Sequence, residues 1–327
     1  MNKNRVLSWL MDPEPPGLGI DIRSDTISLV RLSHKRRPLE IDLSFVAPLA
    51  PGLLQFHMLE PNILDEEAFA KTIENALLRA GLGGRKRVAL SIPDHLARIA
   101  LMELPDPPRS TAELVEFLKF RMKKSIPFDV ERARVAFERL PGKAPTFLTG
   151  VMHEAVISQY EDVFTRLGFH VGLVIPSSVS LLQLLRPVAR RELLPGADYF
   201  LVNVEREYFS ISLVRDRDVP ALTRTLGLSA EDGVARIYGE EDLLQELIPT
   251  AIYYREKLEG QSLARVYYRS LRPDLVHLRE ILEEQFEAPS EPFNLAKAIP
   301  VARNVGLDAE AADAVAAAAG AARGKAA

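Results

Sequence analysis

The feature that most constrains this chain is a hairpin pattern that occurs twice. In 18–32, LGIDIRSDTISLVRL, Ile20 and Ile22 alternate with Asp21 and Arg23, the polar run Ser24-Asp25-Thr26 follows, and an apolar run begins at Ile27. Alternation, polar turn and a second β-rich run predict two antiparallel strands with a polar tip. The pentapeptide ISLVR stands at 27–31 and again at 211–215, and an acidic or amide residue, Asp21 or Asn203, precedes each tip. Two such hairpins, far apart in the chain, predict two related halves facing one another.

A chain of 327 residues is long enough for two domains with cores of their own. Its 41 basic and 45 acidic side chains leave a net charge of −4, so there is no general attraction to nucleic acid or an anionic surface. Cysteine is absent, which excludes disulfides, thiol catalysis and thiolate metal sites and fits a reducing compartment. No apolar run approaches the roughly 20 residues that span a bilayer, and the N-terminus lacks the pattern of a signal peptide, so the expected location is the cytoplasm. The six histidines, at 34, 57, 95, 153, 170 and 277, show no metal-binding spacing. Neither a P-loop nor a nucleophile elbow is present. No catalytic or metal-ligating residue is therefore expected.

Along the chain, 1–16 reads as a leader with a turn of amphipathic helix around Trp9, ended by prolines. The basic run at 34–37 reads as a turn and 39–47 as a third strand. Asp65 caps a helix to Ala80 with Phe69, Ile73, Ala76 and Leu77 on one face, and Gly81 stops it. A strand at 87–92 precedes an αβ insert whose helix starts at Ser110, with Glu113 completing a capping box and Leu114, Phe117, Leu118 and Met122 as its apolar stripe. The chain then returns to the larger domain, with a strand at 147–152, a helix at 154–167, a strand at 169–175 and a helix at 178–188. In the second half the repeated hairpin is followed by a strand at 221–227 and a helix at 242–258 that Pro249 should kink or divide. A strand at 265–268, a helix at 274–286 and a β-like run at 292–299 complete it. Composition makes the alanine-rich end a helical or frayed tail.

Three strands, helix, strand and helix, occurring twice, resemble the actin-like ATPase fold and, within it, the PilM family of type IV pilus assembly proteins and its relatives in type II secretion. The resemblance rests on Gly19-Ile20-Asp21-Ile22, on Ala89-Leu90-Ser91-Ile92-Pro93, on the helix that closes with Ile126-Pro127-Phe128, on 201–215, on Tyr253-Tyr254 and on the tail 314–323. It implies an α/β fold of actin-like (ribonuclease H-like) duplicated domains around a cleft, with a small αβ insert in the first half. The expected divisions are 1–16 leader, 17–195 first half with the insert at 97–142, 196–306 second half with a shortened covering subdomain, and 307–327 an alanine-rich helix returning to the first half.

The departures from that family bear on mechanism. Actin-like sites hold ATP on backbone amides of two glycine-bearing tips, where a Cβ would keep the phosphates away. This chain has Arg23 for the first glycine, Asn203 and Glu205 for the second aspartate and glycine, and Arg269-Ser270-Leu271-Arg272 where a glycine-rich adenosine motif should stand. The covering segment at 228–242 is also short. The resemblance with these losses implies a pseudo-ATPase scaffold of a pilus or secretion platform, needing no cofactor. It would lie in the cytoplasm at the inner face of the inner membrane and dock the cytoplasmic tail of a PilN-like membrane protein through the insert and its groove, with Phe117, Leu118, Phe120 and Phe128 as docking residues. The alternative it implies is an ATPase or switch that keeps ATP and Mg²⁺ at Asp21 and the Ser24, Asp25 and Thr26 loop. Actin-like proteins can polymerise, so a homo-oligomer is also within its scope.

Overall fold

The two hairpins are the centres of two sheets with the same plan. The computed structural model describes residues 16–33, 38–83, 86–140, 144–226 and 239–324. The leader turn, the basic run at 34–37 and most of the short covering segment lie outside them. In the first half β1 (Leu18–Ile22), β2 (Thr26–Ser33) and β3 (Glu40–Pro48) are antiparallel, and β4 (Lys86–Ile92) and β8 (Phe169–Pro176) run parallel to β1, in the order β3-β2-β1-β4-β8. In the second half β9 (Asp198–Val204), β10 (Phe209–Arg215), β11 (Val219–Leu226), β12 (Leu263–Ser270) and β13 (Ser290–Pro292) repeat those directions in the order β11-β10-β9-β12-β13.

Register makes the duplication specific. Asp21 lies opposite Ser28 and Ile22 opposite Ile27; Asn203 lies opposite Ser210 and Val204 opposite Phe209. The tips are therefore 23–26 and 205–208, equal in length. Arg23 corresponds to Glu205, and Ser28 to Ser210 rather than to Ser212. The shared ISLVR run is thus displaced by two residues between the copies. A two-residue displacement returns each side chain to its own face, so the apolar pattern survives it.

The helices are α1 (Glu66–Arg79), α2 (Thr111–Met122), α3 (Glu154–Arg166), α4 (Ser177–Glu192), α5 (Glu240–Glu256), α6 (Leu278–Phe286), α7 (Leu295–Ala298) and α8 (Ala309–Arg323). Asp65 caps α1 by accepting from the Ala68 amide at 2.9 Å, and Gly81 ends it at φ +66°. Both α1 and α3 cover one face of the first sheet, burying Phe69, Ile73, Tyr160 and Phe164 against Ile20, Ile22 and Leu90. The second sheet is covered likewise by α5 and α6. Between the sheets run α4 and α8, in a core that takes Val30 and Leu32 from one half and Tyr199, Leu201 and Val214 from the other.

The alanine-rich end is therefore far from frayed: Val315 and the seven residues after it are buried. Small side chains are what the position requires. A Cβ on Gly19 of β1 would stand 1.9 Å from the Ala318 carbonyl oxygen, so the helix backbone rests almost directly on the strand.

Other expectations give way to local chemistry or to tertiary pairing. The insert does not end at 142, because β7 (Thr146–His153) is the central strand of its sheet, between β5 (Arg98–Glu103) and β6 (Ala133–Leu140). Phe117 is not part of the apolar stripe; only Leu114, Leu118 and Met122 of α2 are buried. Helix α5 runs unbroken through Pro249, whose freed acceptor is the carbonyl of exposed Gln245. Only Leu278–Phe286 of the expected 274–286 helix forms, after Pro273. The run at 292–299 leaves the sheet at Pro292, and the Asn294 side chain caps a turn of helix by accepting from the Lys297 amide at 3.1 Å.

Candidate functional site

The two tips face each other across the cleft and are closed on one another by charge. On the first, Arg23 turns inward: its Nε donates to Thr26 Oγ1 at 2.9 Å, its Nη2 to Ser28 Oγ at 3.0 Å, and Nη1 lies 3.6 Å from Asp21 Oδ2. Thr26 in turn donates to Asp25 at 3.1 Å. On the second, Glu205 and Asn203 both receive Arg269, whose Nη1 reaches Glu205 Oε1 at 2.6 Å and Asn203 Oδ1 at 2.7 Å. Arg269 also donates from Nε to the Asp313 carbonyl of α8 at 2.7 Å, and so ties β12 to the helix that lies on the first half. Across the mouth, Arg206 of the second tip meets Asp25 of the first at 2.6 Å.

Deeper in the cleft, Asp94 follows β4 and accepts from the Ser178 amide at 2.9 Å and from the Ser210 hydroxyl of β10. Beside it the Tyr208 ring stands edge-on to His95, centroids 5.0 Å apart, and His95 stands edge-on to Phe56 at 5.8 Å. Burial lowers His95 to about 3, so this imidazole is neutral. Burial raises the Asp21 carboxyl, with Arg23 opposing the shift. For Arg269 burial works against the charge, but Glu205 and Asp21 outweigh it and the guanidinium is held charged.

The space left between the tips is a cavity of about 20 Å³, lined by Arg23, Ser24, Asp25, Glu205, Arg206 and Tyr208 among others. That is room for about one water, against roughly 300–1,000 Å³ for a small-molecule site. Asp21, Ser24, Asp25 and Thr26 are thus brought together at one place, as a phosphate loop would need. Their neighbours there are an ion pair and a salt bridge between the halves. Arg269, Asp94, Arg206 and Tyr208 complete the cluster and were not legible as its members. The one signal was an arginine standing where a glycine-rich adenosine motif would be.

The state of Asp94 can be measured. Burial raises its carboxyl from 3.8 to about 6, with the Ser210 and Ser178 hydrogen bonds opposing the shift. The folded protein binds this proton more tightly than the unfolded chain does. The penalty for ionising it in place is thus complete above pH 6 and is relieved as the pH falls toward 3.8. Between pH 7.5 and pH 5 the wild type should gain about 1 kcal/mol over an Asp94→Asn variant, read from urea unfolding at each pH. Parallel pH profiles of the two proteins would refute it.

A second concavity lies on the other side of the first sheet's edge. It is an apolar groove of about 350 Å³ between the insert sheet and β8, lined by Ile99, Ala136, Leu148, Gly150 and Met152 on one wall and by Val171, Leu173 and Val174 on the other. At its rim Arg134 binds Glu154 and Glu161, which hold its charge firmly. None of the four residues expected to dock a partner lines this groove. Leu118 is fully buried in the insert core, Phe128 packs beside it with its ring edge-on to His153 at 5.0 Å, and Phe117 and Phe120 stand exposed on α2. Helix α2 covers the opposite face of the insert sheet, and strand alternation sends residues such as Ala136 and Leu148 to the groove instead.

No protein-family profile matches the sequence, and no curated protein matches it at a significant level. Solved structures do match. A chain of the PilM–PilN type IV pilus biogenesis complex superposes with a TM-score of 0.77 at 21% identity, covering 95% of this chain and 98% of that one. A protein of actin-like ATPase fold and unknown function from Bacteroides thetaiotaomicron superposes with a TM-score of 0.50 at 11% identity, over 86% of this chain and 91% of the other. The cytoplasmic domain of EpsL, an inner-membrane component of the type II secretion system of Vibrio cholerae, gives 0.46 at 13% identity over 91% and 94%, too remote to argue from. Duplicated five-stranded sheets of one order, tips facing across a cleft and superposition over nearly the whole chain make one conclusion: this protein has the actin-like fold.

Proposed function

We propose that this chain is a scaffold of a type IV pilus or related secretion platform, which receives an extended segment of a PilN-like membrane protein in the groove between the insert sheet and β8. The observation that carries the reading is the overlap, over 95% of this chain, with a chain of a PilM–PilN complex. The groove supports it. Its walls are apolar, and β8 is an edge strand whose outer backbone groups can pair with an added strand. Among the described residues no helix is long and apolar enough to cross a membrane. On this reading the chain works in the cytoplasm and is held at the inner face of the membrane through its partner.

The same reading makes the protein a pseudo-ATPase. Where a nucleotide's phosphates would rest, Glu205 presents like charge and Arg269 neutralises it from within the fold. The 20 Å³ between the tips would have to open for any nucleotide to enter.

Calorimetry on the full chain tests both parts. The titrants are synthetic cytoplasmic tails of single-span membrane proteins encoded beside it and, separately, ATP with Mg²⁺. A tail should bind, and Gly150→Leu should weaken it about tenfold or more, because Gly150 lines the groove and a Cβ there meets no atom within 4 Å, so the added side chain projects into the groove. Unchanged thermal melting checks that the fold is kept. Undiminished binding by that variant would remove the groove from the proposal. Micromolar affinity for ATP would overturn the pseudo-ATPase reading in favour of a nucleotide switch at Asp21 and its loop.

A further inference from the structure

Helix α2 turns a second face to solvent, away from the groove. Phe117 and Phe120 stand on it, 39% and 72% exposed. Arg121 shares that face by its i, i+4 spacing from Phe117, and Lys123 and Lys124 continue it, exposed, at the helix end. Lys119 is paired with Glu116 at 3.1 Å. Among the described residues, Arg121, Lys123 and Lys124 have no ion-pair partner. Cations at a helix C-terminus complement the dipole, which accounts for some of this charge. It does not account for two phenyl rings held out in water beside it.

We propose that this end of α2 is a lipid-facing foot. Phe117 and Phe120 enter the interfacial layer of an anionic leaflet while Arg121, Lys123 and Lys124 hold its headgroup phosphates. Neither ring lines the groove beside β8 or the cavity between Glu291 and Asp313. A fluid interface needs no matching shape, and exposed aromatic rings flanked by cations are what interfacial helices use. Glu113 lies in the first turn of the helix and Glu116 is paired with Lys119, so the unpaired cations are gathered at the C-terminal end, which is the end that faces the membrane. The net charge of −4 confines the attraction to this patch. The foot is separate from the groove, and it would set the docking wall of the insert at a fixed height above the bilayer.

Vesicle co-sedimentation of the full chain tests it, with phosphatidylethanolamine vesicles containing phosphatidylglycerol against pure phosphatidylcholine, at low and high salt. Binding should require the anionic lipid and fall with salt. Lys123→Ala and Lys124→Ala should each weaken it about fivefold, and Phe120→Ala should weaken it at every salt concentration. These side chains are exposed, so the variants should keep the wild-type circular dichroism and melting. Gly150→Leu should bind vesicles unchanged, which separates this inference from the groove. Several results would overturn the foot: no binding to anionic vesicles, equal binding by the variants, loss only on deleting 1–15, or retention on an acidic polypeptide without retention on vesicles.

Discussion

Replacing Arg269 by methionine should lower the unfolding free energy by about 3–5 kcal/mol, the range for removing one partner of a buried ion pair. The side chain is fully buried, 2.6 Å from Glu205, and bonded to both Asn203 and the Asp313 carbonyl. Without it the Glu205 carboxylate stays buried with its counter-charge removed, near Asp21, whose carboxyl burial already pushes upward. Adding Glu205→Gln should recover a large part of the loss, since the second change removes the stranded charge. Arg269→Lys should rescue poorly, because an ammonium cannot serve Glu205, Asn203 and the α8 carbonyl at once. Urea unfolding of the four proteins measures this. A loss below about 1 kcal/mol in the single methionine variant would mean that the buried pair contributes little to stability.

Gly320→Ala should also destabilise, by about 3 kcal/mol, although the same change on an exposed helix would stabilise by about 1 kcal/mol. The sign is decided by space. A Cβ at Gly320 would stand 2.1 Å from the Ser180 carbonyl oxygen of α4 and 2.5 Å from its carbonyl carbon, and these are backbone atoms that cannot swing aside. One helix must shift, and α8 is packed between α4 and β1 with no slack on either side. Thermal melting of the variant distinguishes the two outcomes. A raised midpoint would show that α8 lies further from α4.

Much of the fold was legible because it is written in neighbours along the chain. Alternation in Ile20 and Ile22, the Asp65 cap and the Gly81 stop each act within a few residues, and each is seen in its expected place. The strand at 147–152 was legible as a strand and not as the centre of the insert sheet, because alternation does not say which edge a strand will join. The same limit applies to the docking residues. The helical stripe could not tell buried Leu118 from exposed Phe117, which lie one residue apart across the boundary of the buried face.

The sequence by itself determined the two hairpins, their loss of glycine at the tips and the helix that closes the chain. Tertiary structure alone decided what those losses became. Arg23 turned onto its own hairpin, Glu205 found Arg269 64 positions away, and Asp25 met Arg206 across the cleft. Local pattern specifies which residues are polar and where strands turn. Charge pairing acts over a few ångströms in space, and only the folded chain sets which side chains stand that close.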